Sequence, residues 1–181
     1  MGCYAALPAI RIAQGLVAQN YSDNANFRAD IFHTEMCGLH MNALSQTPEQ
    51  FIVQSLFADG HIKYTASAAP QKNKKSLKVV AIHEQIIPDS HGDMSWIPTS
   101  WGLQMNLSRE VPQKIRSSIR PFLDELLRKS GLKLESLKNA EFAIHPGGPK
   151  IIDTVKDVLE LSEQKVLHSK SVLLNRGNMS S

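Results

Sequence analysis

Residues 141–160 read EFAIHPGGPKIIDTVKDVLE, a stretch that changes its structural type twice and so indicates the fold class. EFAIH at 141–145 is predicted to be a short strand, PGGP a turn, and 149–160 a helix, with a second helix at 163–175. In layered α/β proteins, reactive side chains collect where strands end and helices begin. His145, which ends the strand, is therefore a candidate functional residue.

Strand-like and helix-like segments alternate along the rest of the chain. The strand predictions are 29–37, HIKYTAS after a turn at 58–60, 77–87 and 101–108; the helix predictions are 4–19, 48–57 and 110–129. Thr47 is predicted to cap helix 48–57, with Pro48 at its first position. Pro121 is predicted to kink or split helix 110–129. The alternation favours an α/β fold over an all-α or all-β one.

Composition is typical of a globular protein and excludes several classes. The chain has 181 residues, 42% of them hydrophobic, and a net charge of +3 that is too small to indicate nucleic-acid binding. Its densest basic cluster, 72–75, lies in the stretch 68–76, which is predicted to be a solvated linker rather than a binding patch. We expect no signal peptide, no membrane span and a cytoplasmic location.

Cysteine and histidine spacing gives no indication of a metal site. Cys3 and Cys37 lack CxxC spacing and are expected to stay reduced in the cytoplasm. Six histidines without ligand spacing are expected to have core or surface roles: His33, His40, His61, His83, His91 and His168. We therefore predict neither a bound metal nor a resident cofactor.

Three residues at element junctions are candidates for chemistry. Cys3 precedes the first helix, His145 ends a strand and Asn178 lies in a turn after the last helix. Each type alone is usually structural: a buried thiol, a histidine before proline, or a turn asparagine. Only their local sequences, taken together, indicate a functional role for the three residues.

Those local sequences resemble the type III polyketide synthases, the chalcone synthase family on the thiolase fold. The matching segments are GCYAALPAIRIA at 2–13, HPGGPKIID at 145–153, GNMSS at 177–181, LFADG at 56–60 and PDSHGDMSWIPTSWGLQMNLSREVP at 88–112. The ketoacyl synthases of fatty-acid synthesis, which also use Cys, His and Asn, rank second because their histidine segment differs. The resemblance implies a partial thiolase-like fold of layered α/β/α type that lacks the first half and the last strands.

The resemblance also implies roles for the three candidates. Cys3 would be the nucleophile that takes an acyl group from coenzyme A, activated by the helix N-terminus and by a protonated His145. His145 and Asn178 would hold the thioester carbonyl of malonyl-CoA and the enolate formed when CO2 leaves. Coenzyme A thioesters would be substrates, and the full-length enzyme would be a homodimer.

Further positions are implied to shape the substrate cavity. Phe57 aligns with one gatekeeping phenylalanine and Met105 stands at the second, while Cys37 replaces a cavity-lining threonine. Trp96 falls where chalcone-forming members carry glycine, so it either narrows the cavity and shortens the products or packs against a neighbouring element. Gly147 and Gly148 either bring backbone close to the reacting centre or form a plain turn.

Two hypotheses follow for the polypeptide. Residues 1–70 would end the N-terminal thiolase-like half and 76–181 would form most of the C-terminal half, with Cys3, His145 and Asn178 converging within a few ångströms. The chain would then be a piece of an iterative condensing enzyme. Alternatively, it is a non-catalytic remnant or a subunit that binds an intact partner, because missing strands leave apolar faces uncovered.

Overall fold

The computed structural model describes residues 2–71 and 73–181, which divide into two compact units. One unit comprises Met1–Met36, Asp59–Val80 and Met179–Ser181, and the other comprises Cys37–Ala58 and Ala81–Asn178. Among the described residues, no helix combines the length and apolarity needed to cross a bilayer.

In the first unit, one helix packs on a two-stranded antiparallel sheet. A 3₁₀ turn, Gly2–Tyr4, leads into α1 (Ala6–Asn20), and β1 (Arg28–Glu35) pairs antiparallel with β2 (Gly60–Ser67). Ala13 and Val17, one helical turn apart, are the buried residues of α1, which contacts both strands. The predicted helix and both predicted strands are confirmed.

The second unit begins with a 3₁₀ turn, Cys37–His40, followed by α2 (Pro48–Leu56). The backbone N–H of Gln50 donates to Thr47 Oγ1 at 3.2 Å, and Pro48 occupies the first turn. The predicted cap is confirmed, because the threonine hydroxyl satisfies an amide that has no partner inside the helix.

A β-hairpin follows in the same unit. β3 (Met94–Pro98) pairs antiparallel with β4 (Leu103–Leu107), which confirms the strand predicted at 101–108. Trp96 lies directly opposite Met105, so the two side chains share a face of the hairpin. Met105 is buried, and β4 contacts both α2 and the Cys37–His40 turn.

Three helices complete this unit: α3 (Val111–Ser130), α4 (Pro149–Leu159) and α5 (Glu163–Arg176), with a 3₁₀ segment, Leu134–Asn139, after α3. α4 packs against both α3 and α5 and buries Ile152 completely. α3 runs through Pro121 without interruption, so this proline does not split the helix, and the predicted kink stays a prediction. Gly131 ends α3 at φ 69°, a conformation that glycine adopts without steric cost.

Two strand predictions, 77–87 and 141–145, are wrong. Neither segment joins a β-ladder among the described residues. A β-rich composition favours an extended chain, but a strand also needs a hydrogen-bonded neighbour. α5 instead bonds one backbone group of 141–145 and one just before it: Ile144 N–H donates to Ser169 Oγ at 3.0 Å, and Lys165 Nζ donates to the Ala140 carbonyl.

The predicted linker at 68–76 contains a turn. Lys72, part of its basic cluster, lies outside the described residues. Lys74 N–H donates to the Gln71 carbonyl at 3.1 Å, and Asn73 adopts φ 63°. Asparagine tolerates this left-handed conformation better than most residues, which fits a turn.

Candidate active site

Cys3 lies in the first unit, in the 3₁₀ turn that precedes α1, where its side chain is half-buried. Gly2 adopts φ 51°, and the Ala5 N–H donates to the Gly2 carbonyl at 2.9 Å, so the turn before the helix depends on a glycine. No side chain caps α1. A thiolate at such a position is favoured by the helix dipole. Among the described residues, Cys3 and Cys37 are not joined by a disulfide bond.

His145 lies in the second unit, immediately before the turn that starts α4. The Gly147 N–H donates to the His145 carbonyl at 2.8 Å, which folds the backbone tightly around Pro146. A Cβ added to Gly147 would lie 3.2 Å from Cδ2 and 3.5 Å from Nε2 of the imidazole. Gly147 therefore lets the backbone approach the ring, and any side chain there would displace the imidazole.

Gly148 supplies the N-terminal carbonyl of α4. The N–H groups of Ile151 and Ile152 donate to it at 3.1 and 3.3 Å. Its φ of 156° is one that residues with a side chain rarely adopt. A Cβ on Gly148 would be in ordinary contact with Leu56 Cδ1 at 3.7 Å, so the requirement for glycine here is conformational.

The pKa of His145 is lowered from its usual value because the surrounding chain removes water from the imidazole. The side chain nevertheless keeps an exposed surface. This environment favours a neutral ring, whereas activation of Cys3 by an imidazolium would need a charged one. A neutral imidazole can still donate one N–H to a carbonyl oxygen or accept a proton from a thiol.

Asn178 is held by its own backbone against residues 56–58. Its N–H donates to the Leu56 carbonyl at 2.7 Å, and its carbonyl accepts the Ala58 N–H at 2.9 Å. These bonds form a parallel bridge with Phe57, and only 2% of Asn178 is exposed. Two predicted site residues, Phe57 and Asn178, are therefore neighbours in space.

Gly177 explains why a glycine precedes this asparagine. Its φ is 73°, and a Cβ would lie 3.0 Å from Ala58 Cβ and 3.1 Å from the Leu56 carbonyl oxygen. Leu56 thus contacts the Gly177–Asn178 turn through its backbone and lies beside Gly148 through its side chain. This shared neighbour brings the loop after His145 and the loop containing Asn178 to the same part of the second unit.

The predicted cavity residues gather around a histidine that sequence reasoning assigned only a core or surface role. His40 is buried, and its ring lies 5.4 Å from the Phe57 ring and 6.3 Å from the Trp96 ring, measured between centroids. Cys37 is also buried. In a 3₁₀ helix, residues three apart lie on the same side, so the Cys37–His40 spacing is the signal that could have identified His40.

Most of the predicted site residues lie in one of the two units. His145, Asn178, Phe57, Met105, Cys37, Trp96, Gly147 and Gly148 all belong to the second unit, and Cys3 belongs to the first. The convergence of Cys3 with His145 and Asn178 stays a prediction. Within the part of the chain that the structure describes, no three His, Cys, Asp or Glu side chains form a cluster suited to a metal ion.

Comparison with known proteins matches the whole chain. The family model for the C-terminal domain of chalcone and stilbene synthases matches residues 78–181. The chain is 27% identical over 183 residues to Type III polyketide synthase C of Arabidopsis thaliana, covering 100% of this chain and 46% of that protein. It is 30% identical over 185 residues to Probable polyketide synthase 1 of Dictyostelium discoideum, covering 6% of that protein. The chain thus spans about half the length of the Arabidopsis relative.

Solved structures of polyketide synthases have a fold similar to that of this chain. PKS-I from the brown alga Ectocarpus siliculosus superposes with a TM-score of 0.85 at 26% identity, covering 100% of this chain and 46% of that one. The C-terminal type III polyketide synthase domain of Steely1 from Dictyostelium superposes with a TM-score of 0.87 at 29% identity, covering 99% of this chain and 49% of that one. The backbone of this chain therefore follows about half of such a domain.

Proposed function

The chain belongs to the chalcone and stilbene synthase family of type III polyketide synthases, and from this premise we propose that it carries the condensing chemistry of an iterative polyketide synthase. The partial thiolase-like α/β fold expected from its sequence is confirmed by the structural similarities. The proposed substrates are an acyl-CoA starter and malonyl-CoA, the proposed assembly is a homodimer, and the proposed location is the cytoplasm.

The first proposed step loads the starter group. The Cys3 thiolate attacks the carbonyl carbon of the acyl-CoA, a C–S bond forms to Cys3, and coenzyme A leaves as its thiolate and takes up a proton. The position of Cys3 before α1 supports this role, because the helix dipole stabilises a sulfur anion. A neutral His145 would accept the thiol proton before attack.

The second proposed step forms the carbon–carbon bond. The side-chain N–H groups of His145 and Asn178 would hold the thioester oxygen of malonyl-CoA, and loss of CO2 would leave the negative charge of the enolate on that oxygen. Preorganised donors of this kind are each worth about 2.7–4 kcal/mol in the transition state. The enolate carbon would attack the acyl group on Cys3, and the Cys3 thiolate would be released for another round.

The observation that carries the proposal is the placement of Asn178. An asparagine that is 2% exposed, with its N–H and carbonyl both bonded to residues 56–58, has a fixed backbone beside Phe57. A rigid, buried donor suits stabilisation of a developing charge, since no reorganisation is needed during the reaction.

Trp96 supports a small product. Its indole is half-buried and lies against His40, on the same face of the hairpin as Met105. Aromatic side chains fill about 150–250 Å² of contact surface, so tryptophan leaves less room than glycine at this position. We propose that chain growth stops early, at a triketide or tetraketide released as a pyrone.

Exposed apolar residues favour a second candidate function, that of a non-catalytic subunit bound to an intact partner. Leu77 is 98% exposed, Ile86 89% and Val80 60%, all in the segment that joins no β-ladder. Exposed apolar side chains in sequence suit an interaction with another polypeptide. A third candidate, a ketoacyl synthase III-like enzyme, is less well supported because the family match is to chalcone and stilbene synthases.

Acylation and turnover test the first candidate directly. Folded chain is incubated with a starter acyl-CoA and radiolabelled malonyl-CoA, and labelled CO2, pyrone and acyl–enzyme are measured. Tryptic cleavage after Arg11 separates Cys3 from Cys37, so the acyl group can be located by mass spectrometry. Cys3→Ala should abolish acylation. Folded chain that is neither acylated nor active would overturn this proposal and leave the subunit candidate.

Matched variants identify the donors. Asn178→Ala should lower turnover by about 100-fold or more, the cost of one oxyanion donor, while acylation of Cys3 continues. Asn175→Ala, which changes an exposed asparagine of α5, should retain activity. His145→Gln is the matching test of the histidine and should lower turnover. His168→Gln, at an exposed position on α5, is its control and should retain activity.

A further inference from the structure

A polar cavity lies between the start of α2 and the β3–β4 hairpin, within the second unit. Its volume is about 260 Å³, just below the range of about 300–1,000 Å³ that takes drug-sized ligands. The cavity therefore suits a ligand with a single ring. Neither His145 nor Asn178 is among its described lining residues, so the mechanism proposed above does not use it. Its polar side chains include carboxamides, a carboxylate and an indole, contributed by Asn42, Glu49, Gln50, Trp101, Gln104 and Asn106.

Several of the lining side chains are held in place by hydrogen bonds. The side-chain carbonyl of Asn42 accepts the main-chain N–H two residues later at 3.1 Å. Gln50 Nε2 donates to the His40 carbonyl at 2.7 Å, and Asn106 Nδ2 on the hairpin donates to the Gly92 carbonyl at 3.4 Å. A cavity with walls that are ordered before binding loses little conformational entropy when a ligand enters.

Three other lining side chains, Glu49, Trp101 and Gln104, keep their polar groups available. Within the part of the chain that the structure describes, these side chains have no hydrogen-bond or ion-pair partner. Glu49 and Gln104 are exposed, and 39% of Trp101 is accessible to solvent. A ligand that enters the cavity must offer hydrogen-bonding groups that match them, because a polar group left unpaired on binding costs free energy.

The lining side chains also define the charge of a suitable ligand. No lysine, arginine or histidine is among the described lining residues, whereas Glu49 carries a negative charge. An anion would be repelled by this carboxylate, which disfavours the phosphates of coenzyme A and the carboxylate of a malonyl group. Carboxamides, which both donate and accept hydrogen bonds, outnumber the carboxylate. They match a neutral ligand with groups that also donate and accept, and the hydroxyl is the simplest such group.

We propose that this cavity binds a neutral polyhydroxylated ring of monosaccharide size. The indole of Trp101 offers an apolar face to the C–H groups of such a ring and an N–H to one of its hydroxyls. Glu49 accepts hydrogen bonds from ring hydroxyls, and the carboxamides of Gln104 and Asn106 donate to or accept from others. The inference goes beyond the proposed function and does not depend on it.

NMR titration of the folded chain tests this site without any acyl transfer. The probes are D-glucose and myo-inositol, and cyclohexanol is the matched control because it has the carbon ring of inositol with a single hydroxyl. The chain has two tryptophans, so it gives two indole N–H signals, which Trp101→Phe assigns. We expect at least one of the two polyols to shift the Trp101 signal saturably and to leave the Trp96 signal in place. Cyclohexanol should shift neither signal.

Variants at exposed positions complete the test. Gln104→Ala should raise the Kd of the bound polyol about two- to tenfold, as loss of one hydrogen bond would, and Glu49→Gln should also raise it. Gln113→Ala, on exposed α3 and outside the described lining, should leave the Kd unchanged. A Trp101 signal that moves with neither polyol, or equally with cyclohexanol, would overturn the inference. Tighter binding of cyclohexylammonium than of both polyols would also overturn it and assign the cavity to an organic cation. Acylation of Cys3 is a separate measurement, and its failure counts only against the proposed function.

Discussion

Glycines near the candidate catalytic residues allow close backbone contacts that a larger residue would prevent. Gly147 lets backbone approach the imidazole of His145, and Gly177 lets backbone approach Leu56 and Ala58 beside Asn178. At both positions a Cβ atom would obstruct a close contact beside a candidate catalytic residue. The close packing that these two glycines allow therefore helps to position His145 and Asn178.

Gly177→Ala should destabilise the fold by about 2–6 kcal/mol, because residues with a side chain adopt its backbone conformation (φ 73°, ψ −170°) only at a cost of about 1–3 kcal/mol, and the new Cβ adds an overpacking cost of about 1–3 kcal/mol. Denaturant unfolding measures the change. Gly131→Ala is the control without crowding: its backbone is left-handed (φ 69°, ψ 10°), which costs about 1–2 kcal/mol, and nothing lies within 4 Å of the added Cβ. Equal losses in the two variants would contradict the packing argument.

The state of His145 can be tested by its titration. Because burial lowers its pKa, we expect the ring to titrate below the usual value and to be neutral at pH 7. Histidine NMR resonances followed across pH 4–8 measure this, with His145→Gln used for assignment. A midpoint above the usual value would show that a negative partner, such as the Cys3 thiolate, outweighs desolvation.

The sign of the pH effect on stability follows from the same shift. As pH falls through the ordinary histidine range, the unfolded chain binds a proton at His145 more readily than the folded chain. The native chain should therefore lose stability more steeply than His145→Gln as pH falls. The slope of the denaturation midpoint between pH 7 and pH 5 measures this difference, and parallel slopes would contradict it.

Among the elements, α2 contacts both the Cys37–His40 turn and the turn that contains Asn178. Its cap, Thr47, orders the first turn; Gln50 then binds the His40 carbonyl; and the residues just after α2 pair with Asn178. One short helix thus connects the predicted cavity wall with a predicted oxyanion donor. Loss of the Thr47 cap should therefore affect the positions of both His40 and Asn178.

Thr47→Ala should cost about 0.5–2 kcal/mol of stability through loss of the cap. It should also loosen the turn that ends at His40, because the His40 carbonyl is held by Gln50, whose own N–H is held by Thr47. Thr47→Ser keeps the hydroxyl and should behave like the native chain. Denaturant unfolding measures the change, and equal stability of Thr47→Ala and the native chain would contradict the role of the cap.

Considered as a whole, the chain has apolar residues exposed in a segment without a strand partner. Leu77→Lys and Ile86→Lys change side chains that are 98% and 89% exposed, so each should alter the free energy of unfolding by less than about 0.5 kcal/mol. Both should reduce self-association, measured by sedimentation velocity. Leu174→Lys, at an 85% exposed position on α5, is the control. Unchanged association would argue against a role for these residues in binding another chain.

Local patterns were sufficient for much of this protein. Sequence patterns predicted the helices and the Thr47 cap, because helices are defined by contacts within a few residues. They also predicted strands β1, β2 and β4, but not β3. The family resemblance, carried by short contiguous segments, was likewise confirmed. Each of these properties depends on neighbours in sequence.

Contacts between distant residues had to come from the folded chain. The segments 77–87 and 141–145 have strand-like composition but join no ladder among the described residues, since pairing depends on a partner that composition does not specify. The bridge from Phe57 to Asn178 and the rings around His40 join residues far apart along the chain. A sequence pattern reports local preference, whereas the surroundings of a buried side chain are set by which distant elements pack against it.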